Sequence, residues 1–136
     1  MAQLYGERWK VKESLGEGGQ AFTFLVVDEK GDGSTSYVLK RLKNINRVDR
    51  FRHEIEAVRN LSHENIVNLI DFNLDSDPPY LVTEYCPGGS LAQARPYWHQ
   101  PPEKAFELFL QVCSGVAHAH SKGVIHRDIK DRKSVV

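Results

Sequence analysis

Residues 16 to 21 read Gly-Glu-Gly-Gly-Gln-Ala and stand between two strand-like runs, Trp9 to Leu15 and Phe22 to Val27. A Gly-x-Gly-x-x-small pattern that opens a helix builds a dinucleotide-binding turn, with pyrophosphate at the helix amino end. Here the pattern runs instead into Phe22-Thr23-Phe24-Leu25-Val26-Val27, whose aromatic and β-branched content specifies a strand. The glycines therefore sit at the tip of a hairpin. Two readings of that tip stay open: a plain flexible turn, or a lid whose backbone N–H groups approach phosphate oxygens that a Cβ would keep away.

The segments that follow continue the sheet. Tyr37 to Leu42 comes after the turn-rich DEKGDGSTS and completes a three-strand meander. From Val48 to Leu61 the apolar residues Val48, Phe51, Ile55, Val58 and Leu61 recur at three and four, which predicts an amphipathic helix with one buried face. Two short apolar runs, Ile66 to Ile70 and Tyr80 to Thr83, flank the loop NLDSDPP and bring the sheet to about five strands. After the turn CPGGS the pattern becomes helical from Glu103 to Ser121, with a stripe of Phe106, Phe109, Leu110, Cys113, Val116 and Ala117, and Gly123 ends it.

Charge and cysteine content narrow the setting. Eighteen basic side chains balance eighteen acidic ones, so nothing points to nucleic acid or to an anionic membrane surface. The opening MAQLYGERWKVKESLG lacks the apolar core of a signal peptide, and no stretch approaches the roughly 20 apolar residues of a membrane span. Cys86 and Cys113 lie far apart with no metal-ligand spacing, which reads as reduced thiols in a cytoplasmic protein. The histidines His53, His63, His99, His118 and His120 show no ligand spacing either, and His118 and His120 face different directions on their helix.

Lys40 lies inside the third strand, and Glu54 lies on the first helix. Taken singly, each is an ordinary solvated charge. Taken with the glycine loop they suggest more, because a lysine held over nucleotide phosphates needs an anion to fix its ammonium, and a helical carboxylate supplies one.

With these features in order the sequence resembles the eukaryotic-type Ser/Thr protein kinase family, from about Trp9 to Lys130. Gly16 and Gly18 match the glycine-rich loop, YVLK carries the strand lysine Lys40, and Glu54 stands nine residues before His63 of HENIV. LVTEYCPGGSL resembles the segment joining two lobes, and HRDIK at 126 to 130 resembles the catalytic loop. The resemblance implies an α+β, protein kinase-like fold: a five-stranded antiparallel N-lobe sheet with a C helix, residues about 1 to 85, then the start of a helical C-lobe, about 90 to 130. It implies ATP as phosphoryl donor and a protein hydroxyl as acceptor. Lys40, oriented by Glu54, would hold the α- and β-phosphates. Asp128 would accept the proton of the substrate hydroxyl, and Lys130 would steady the transferred phosphate, a lysine characteristic of Ser/Thr specificity. Leu15, Gly16, Gly18, Thr23, Val38, Thr83, Glu84 and Cys86 would surround the nucleotide, with Thr83 as gatekeeper and Glu84 to Cys86 offering backbone groups to adenine. Arg127 resembles the arginine that pairs with a phosphorylated activation loop. Val58, Leu69 and His126 match the family's internal hydrophobic column.

Several positions depart from the family pattern. Ala21 replaces the third glycine, and Thr23 and Val38 stand where the family usually places Val and Ala. After HRDIK the family continues with proline, a magnesium-binding asparagine and an Asp-Phe-Gly ligand, whereas this chain reads Asp131-Arg132-Lys133-Ser134-Val135-Val136. The Mg2+ that accompanies ATP in an intact kinase thus has no ligand of either kind in this sequence, and an inactive fragment is expected. Back-translated one way, these six codons and a stop read GAT CGG AAG AGC GTC GTG TAG, which looks like a short-read sequencing adapter, so residues 131 to 136 are expected to be a non-native tail. Alternative readings are a non-catalytic, ATP-binding pseudokinase or interaction module and, more distantly, a small-molecule or lipid kinase. Lys40, Glu54 and Asp128 argue against the former, and HENIV and HRDIK against the latter.

Overall fold

The computed structural model describes residues 3 to 90 and 102 to 125. The chain forms two compact units, residues 1 to 59 with 67 to 85, and residues 60 to 66 with 86 to 136. The first holds an antiparallel sheet of strands β1 (Leu4–Tyr5), β2 (Trp9–Glu17), β3 (Ala21–Asp28), β4 (Ser36–Leu42), β5 (Leu69–Asn73) and β6 (Tyr80–Glu84), ordered β1-β2-β3-β4-β6-β5. A short 3-10 turn, Ile45–Arg47, leads into helix α1 (Val48–Val58).

The sheet thus has six strands, one more than expected. The addition is β1, too short for any alternation to show. It forms because Gly6 and Glu7 both take left-handed backbone, φ +56° and +54°, and fold Tyr5 back onto Trp9. Two boundaries also move. The strand expected at 66 to 70 lies at Leu69–Asn73, and α1 stops at Val58 rather than Leu61, where Arg59 and Asn60 leave the helix in a turn.

Each face of the sheet carries a buried cluster, which explains why β3, β4 and β6 carry apolar residues on both sides. On one face Phe51 and Ile55, one helical turn apart on α1, pack with Leu42 and Leu81, and Val48, Leu69, Phe72 and Leu74 border them. On the other face Tyr5, Trp9, Val26, Leu39, Tyr80 and Val82 form a second core. Among the described residues of the first unit no helix covers this side; the sheet covers it by curling. Trp9, fully buried on β2, donates from Nε1 to Asp71 Oδ2 on β5, the strand at the far edge, at 2.7 Å. Tyr5 meets Tyr80 edge-on at 5.6 Å and takes a bond from Arg41 at 3.2 Å. Burial, helped by the nearby Asp71 charge, pushes the Tyr80 hydroxyl above the ordinary tyrosine range.

In the second unit, helix α2 (Pro102–Ser121) ends as expected at Gly123, φ +80°, where Val124 N–H donates to Ala119 at 2.9 Å. The segment Ser62 to Ile66 packs on it. A Cβ at Gly115 would stand 3.0 Å from the Asn65 carbonyl oxygen, tighter than most Cβ contacts, so a larger residue would have to push this segment away. The rings of His63 and His118 lie 5.2 Å apart, His63 Nε2 is 3.1 Å from Ser114 Oγ, and Ser62 N–H donates to His118 Nε2 at 3.4 Å. These two histidines join loop to helix. The predicted stripe behaves differently: Phe106, Phe109 and Leu110 are exposed by half or more.

Candidate nucleotide site

The pairing register assembles the site. Antiparallel partners point to the same side of a sheet, so Gly16, Thr23, Lys40 and Leu81 form one cross-strand row. Glu13, Leu25, Val38 and Thr83 form another. Five of the predicted residues, Gly16, Thr23, Val38, Lys40 and Thr83, thereby share the face on which α1 packs.

From that face Lys40 reaches the helix. Its Nζ lies 3.1 Å from Glu54 Oε1, both side chains being partly exposed (39% and 49%). Glu54 is carried there because Phe51 and Ile55 anchor α1 against Leu42 and Leu81. The pair contributes at most about 1 kcal/mol to folding at such exposure, so its consequence is geometric: it fixes where the ammonium points.

The glycine loop spans the end of β2 and the start of β3. Leu15 falls in a register shift between Ser14 and Gly16 and is exposed. Gly16 takes φ +150°, a conformation that L residues rarely adopt, which accounts for the glycine. Gly18 N–H donates to the Ala21 carbonyl at 2.9 Å, so this amide closes the loop itself. Glu84 N–H is likewise engaged, by the Asn68 carbonyl at 3.1 Å, while the Glu84 carbonyl accepts from Thr83 Oγ1 at 3.3 Å. Cys86 belongs to the second unit. Leu69 borders the α1 core, and Val58 closes the helix. Asp128, Lys130, Arg127, His126, His99 and the segment 131 to 136 lie outside the described residues.

Some contacts carried no signal in the sequence. Lys43, one residue past β4, pairs with Glu17 in the glycine loop. Arg8 bonds Asp28 at 2.8 Å and holds that carboxyl below the usual carboxylate range. Neither pair has the helical or alternating spacing that would have marked it.

A sheet with a glycine hairpin, a strand lysine and a helical glutamate in contact is the small lobe of a protein kinase. The protein kinase domain model matches residues 9 to 133, and the chain belongs to that family. It is similar to serine/threonine-protein kinase PrkC of Bacillus subtilis, 31% identical over 135 residues that cover 95% of this chain and 20% of the relative. It is also similar to serine/threonine-protein kinase PksC of Streptomyces coelicolor, 33% identical over 141 residues covering 93% and 25%. A shorter stretch of 78 residues, 57% of the chain, is 46% identical to 7% of human serine/threonine-protein kinase ULK1. The chain spans about a fifth to a quarter of the length of the two bacterial relatives.

Proposed function

We propose that this chain is part of a Ser/Thr protein kinase that transfers the γ-phosphoryl group of ATP to protein hydroxyls. The observation that carries the reading is the Lys40–Glu54 contact, together with relatives named as serine/threonine-protein kinases. Residues 1 to 85 serve as the small lobe and residues 90 to 130 begin the large one; the break between Tyr85 and Cys86 supports that boundary, while residues 60 to 66 group with the second unit.

The roles follow from the chemistry of phosphoryl transfer, which asks for positioning and charge neutralisation. Lys40 binds the α- and β-phosphates, and Glu54 orients it. Gly16 and Gly18 keep the loop free of side chains, while Leu15, Thr23, Val38 and Thr83 enclose adenine. Because Glu84 N–H is engaged by Asn68, the base is read through the Glu84 carbonyl and the Cys86 backbone. Asp128 takes the proton from the substrate hydroxyl as its oxygen bonds to the γ-phosphorus and the β–γ bridging oxygen leaves with ADP; Lys130 holds the moving phosphoryl oxygens. ATP supplies the phosphoryl group together with its Mg2+, for which no cluster of three Asp, Glu, His or Cys side chains occurs among the described residues.

A cytoplasmic protein substrate suits two cysteines that are not joined in a disulfide and the absence, among the described residues, of a helix long and apolar enough to cross a membrane. Nucleic acid has no place in the reading, given the zero net charge. The test is transfer of radiolabelled γ-phosphate to a generic Ser/Thr substrate protein by the full protein that contains this chain. Transfer abolished by Asp128→Asn supports the reading. Nucleotide binding without transfer in the unmutated protein overturns it in favour of a non-catalytic nucleotide-binding module.

A further inference from the structure

Lys43 sits where the chain leaves the sheet. It follows the last residue of β4, the strand of Lys40, and precedes Asn44, whose side chain accepts from Asn46 N–H at 3.0 Å to cap the turn that leads to α1 and Glu54. From this fixed point it touches the glycine hairpin on three sides. Its backbone N–H donates to the Gln20 carbonyl at the tip, at 3.0 Å. Its Nζ pairs with Glu17 on the outgoing strand, and the same ammonium stands 4.8 Å from the ring centre of Phe22 on the returning strand.

Phe22 is itself held. It stacks near Phe24 at 6.4 Å, and the Arg41 guanidinium lies over both rings, 4.5 and 5.6 Å from their centres. Lys43 is thus an ammonium shared between an aromatic face that is fixed and a carboxylate that belongs to the loop. Glu17, between the two glycines, has no other ion-pair partner among the described residues. A glycine-rich hairpin has many accessible backbone states, and each tie to a fixed point removes some of them.

We propose that Lys43 is a positioning residue that holds the glycine loop in register with the phosphate site, through Glu17, Gln20 and Phe22. This rests on the nucleotide-binding reading of Lys40 and the loop. Lys43 does not touch the phosphates; it acts by keeping the loop where its backbone N–H groups, other than that of Gly18, meet them. Losing the tie makes the loop populate other positions and weakens nucleotide binding without touching Lys40 or Glu54.

The experiment uses the full protein that contains this chain, in four forms: unmutated, Glu17→Gln, Lys43→Met, and the exchanged pair Glu17→Lys with Lys43→Glu. Amide hydrogen exchange is followed across residues 16 to 21, and a fluorescent trinitrophenyl-ATP is titrated into each form. An exposed ion pair and a cation–π contact together are worth roughly a three- to tenfold change. The expected result is faster loop exchange and a matching rise in Kd in both single variants, the smaller change in Glu17→Gln, which keeps the Phe22 contact, and partial recovery of both in the exchanged pair, which restores the ion pair alone. Glu17 is exposed and its amide variant leaves both cores intact, so failure of Lys43→Met to fold would not remove the test. Unchanged loop exchange in Glu17→Gln overturns the tether, and faster exchange with an unchanged Kd overturns its role at the phosphate site. If the unmutated protein binds no nucleotide while the exchange pattern appears, the tether stands and the nucleotide reading falls.

Discussion

Lys40 Nζ on β4 and Glu54 Oε1 on α1 stand 3.1 Å apart, joining sheet to helix across fourteen residues of chain. The helix is not held by this pair. Phe51 and Ile55 hold it, and Glu54 is delivered to Lys40 as a result.

Stability and activity should therefore separate at these positions. Lys40→Met is expected to lower phosphoryl transfer by the full protein by about 10²- to 10³-fold, the scale for removing one pre-placed charge from a transition state. Glu54→Gln should cost less, because the lysine remains. Both should shift unfolding by under about 1 kcal/mol, since the pair is half exposed. Urea melts of the 136-residue chain alongside transfer assays check this, and a loss of several kcal/mol in either variant would contradict it.

The second core depends on Trp9. Trp9→Ala removes a fully buried side chain and leaves Asp71 without its indole donor, and about 3–5 kcal/mol of destabilisation is expected. Asp71→Ala should cost about 1–3 kcal/mol by orphaning the indole N–H. The two losses should not add in the double variant, because they share one hydrogen bond. Chemical denaturation of the three variants measures the shortfall.

How far these features could be read from sequence differs by kind. Short apolar runs bounded by turn signals marked β3 and β4, and three-four spacing marked α1, since the β3 run is apolar on both sides and Phe51 and Ile55 face one core. The same rules gave no hint of Leu4–Tyr5, whose pairing is decided by two left-handed residues in the turn after it. Lys40 and Glu54 became a pair only through the motif order around them; their spacing of fourteen has no local meaning. Lys43 and Glu17, or Trp9 and Asp71, meet because the sheet hairpins and curls, and no window of sequence contains both partners.

The turn at residues 6 and 7 makes an opposed pair of substitutions. Gly6 has φ +56°, and a Cβ there would collide with the Tyr80 hydroxyl, so Gly6→Ala should destabilise by about 1–2 kcal/mol or more. Glu7 has φ +54° and bears the left-handed strain with a side chain, so Glu7→Gly should be neutral or stabilising. Thermal melts of the two variants should move in opposite directions or leave Glu7→Gly unmoved; equal losses would refute the turn geometry.

Acid should loosen the same end of the sheet. The Arg8 guanidinium holds Asp28 below its ordinary range, with the Lys30 amide also donating to it at 3.0 Å. A carboxyl depressed in the folded state adds stability that is fully present above its unfolded value, near 3.9, and is lost as pH falls through the lower folded value. Asp28→Asn should lower stability at pH 7 and flatten its decline below about pH 4. Melting temperatures at pH 7, 4 and 3 would show it, and a variant that declines as steeply as the unmutated chain would rule it out.

The 136-residue chain should self-associate through α2. Phe106 and Phe109 are 61% and 60% exposed and lie three apart on the helix, with Leu110 beside them, so they form one apolar surface rather than scattered contacts. Each half-exposed side chain leaves on the order of 1 kcal/mol of burial unrealised, which association recovers. Phe109→Glu places a charge at the centre of that surface, and Phe109 is a member of neither core of the sheet. Light scattering over a concentration series should show growth of large species in the unmutated chain and a clear delay in the variant. A monodisperse monomer at high concentration in the unmutated chain would mean that this face is satisfied within the chain.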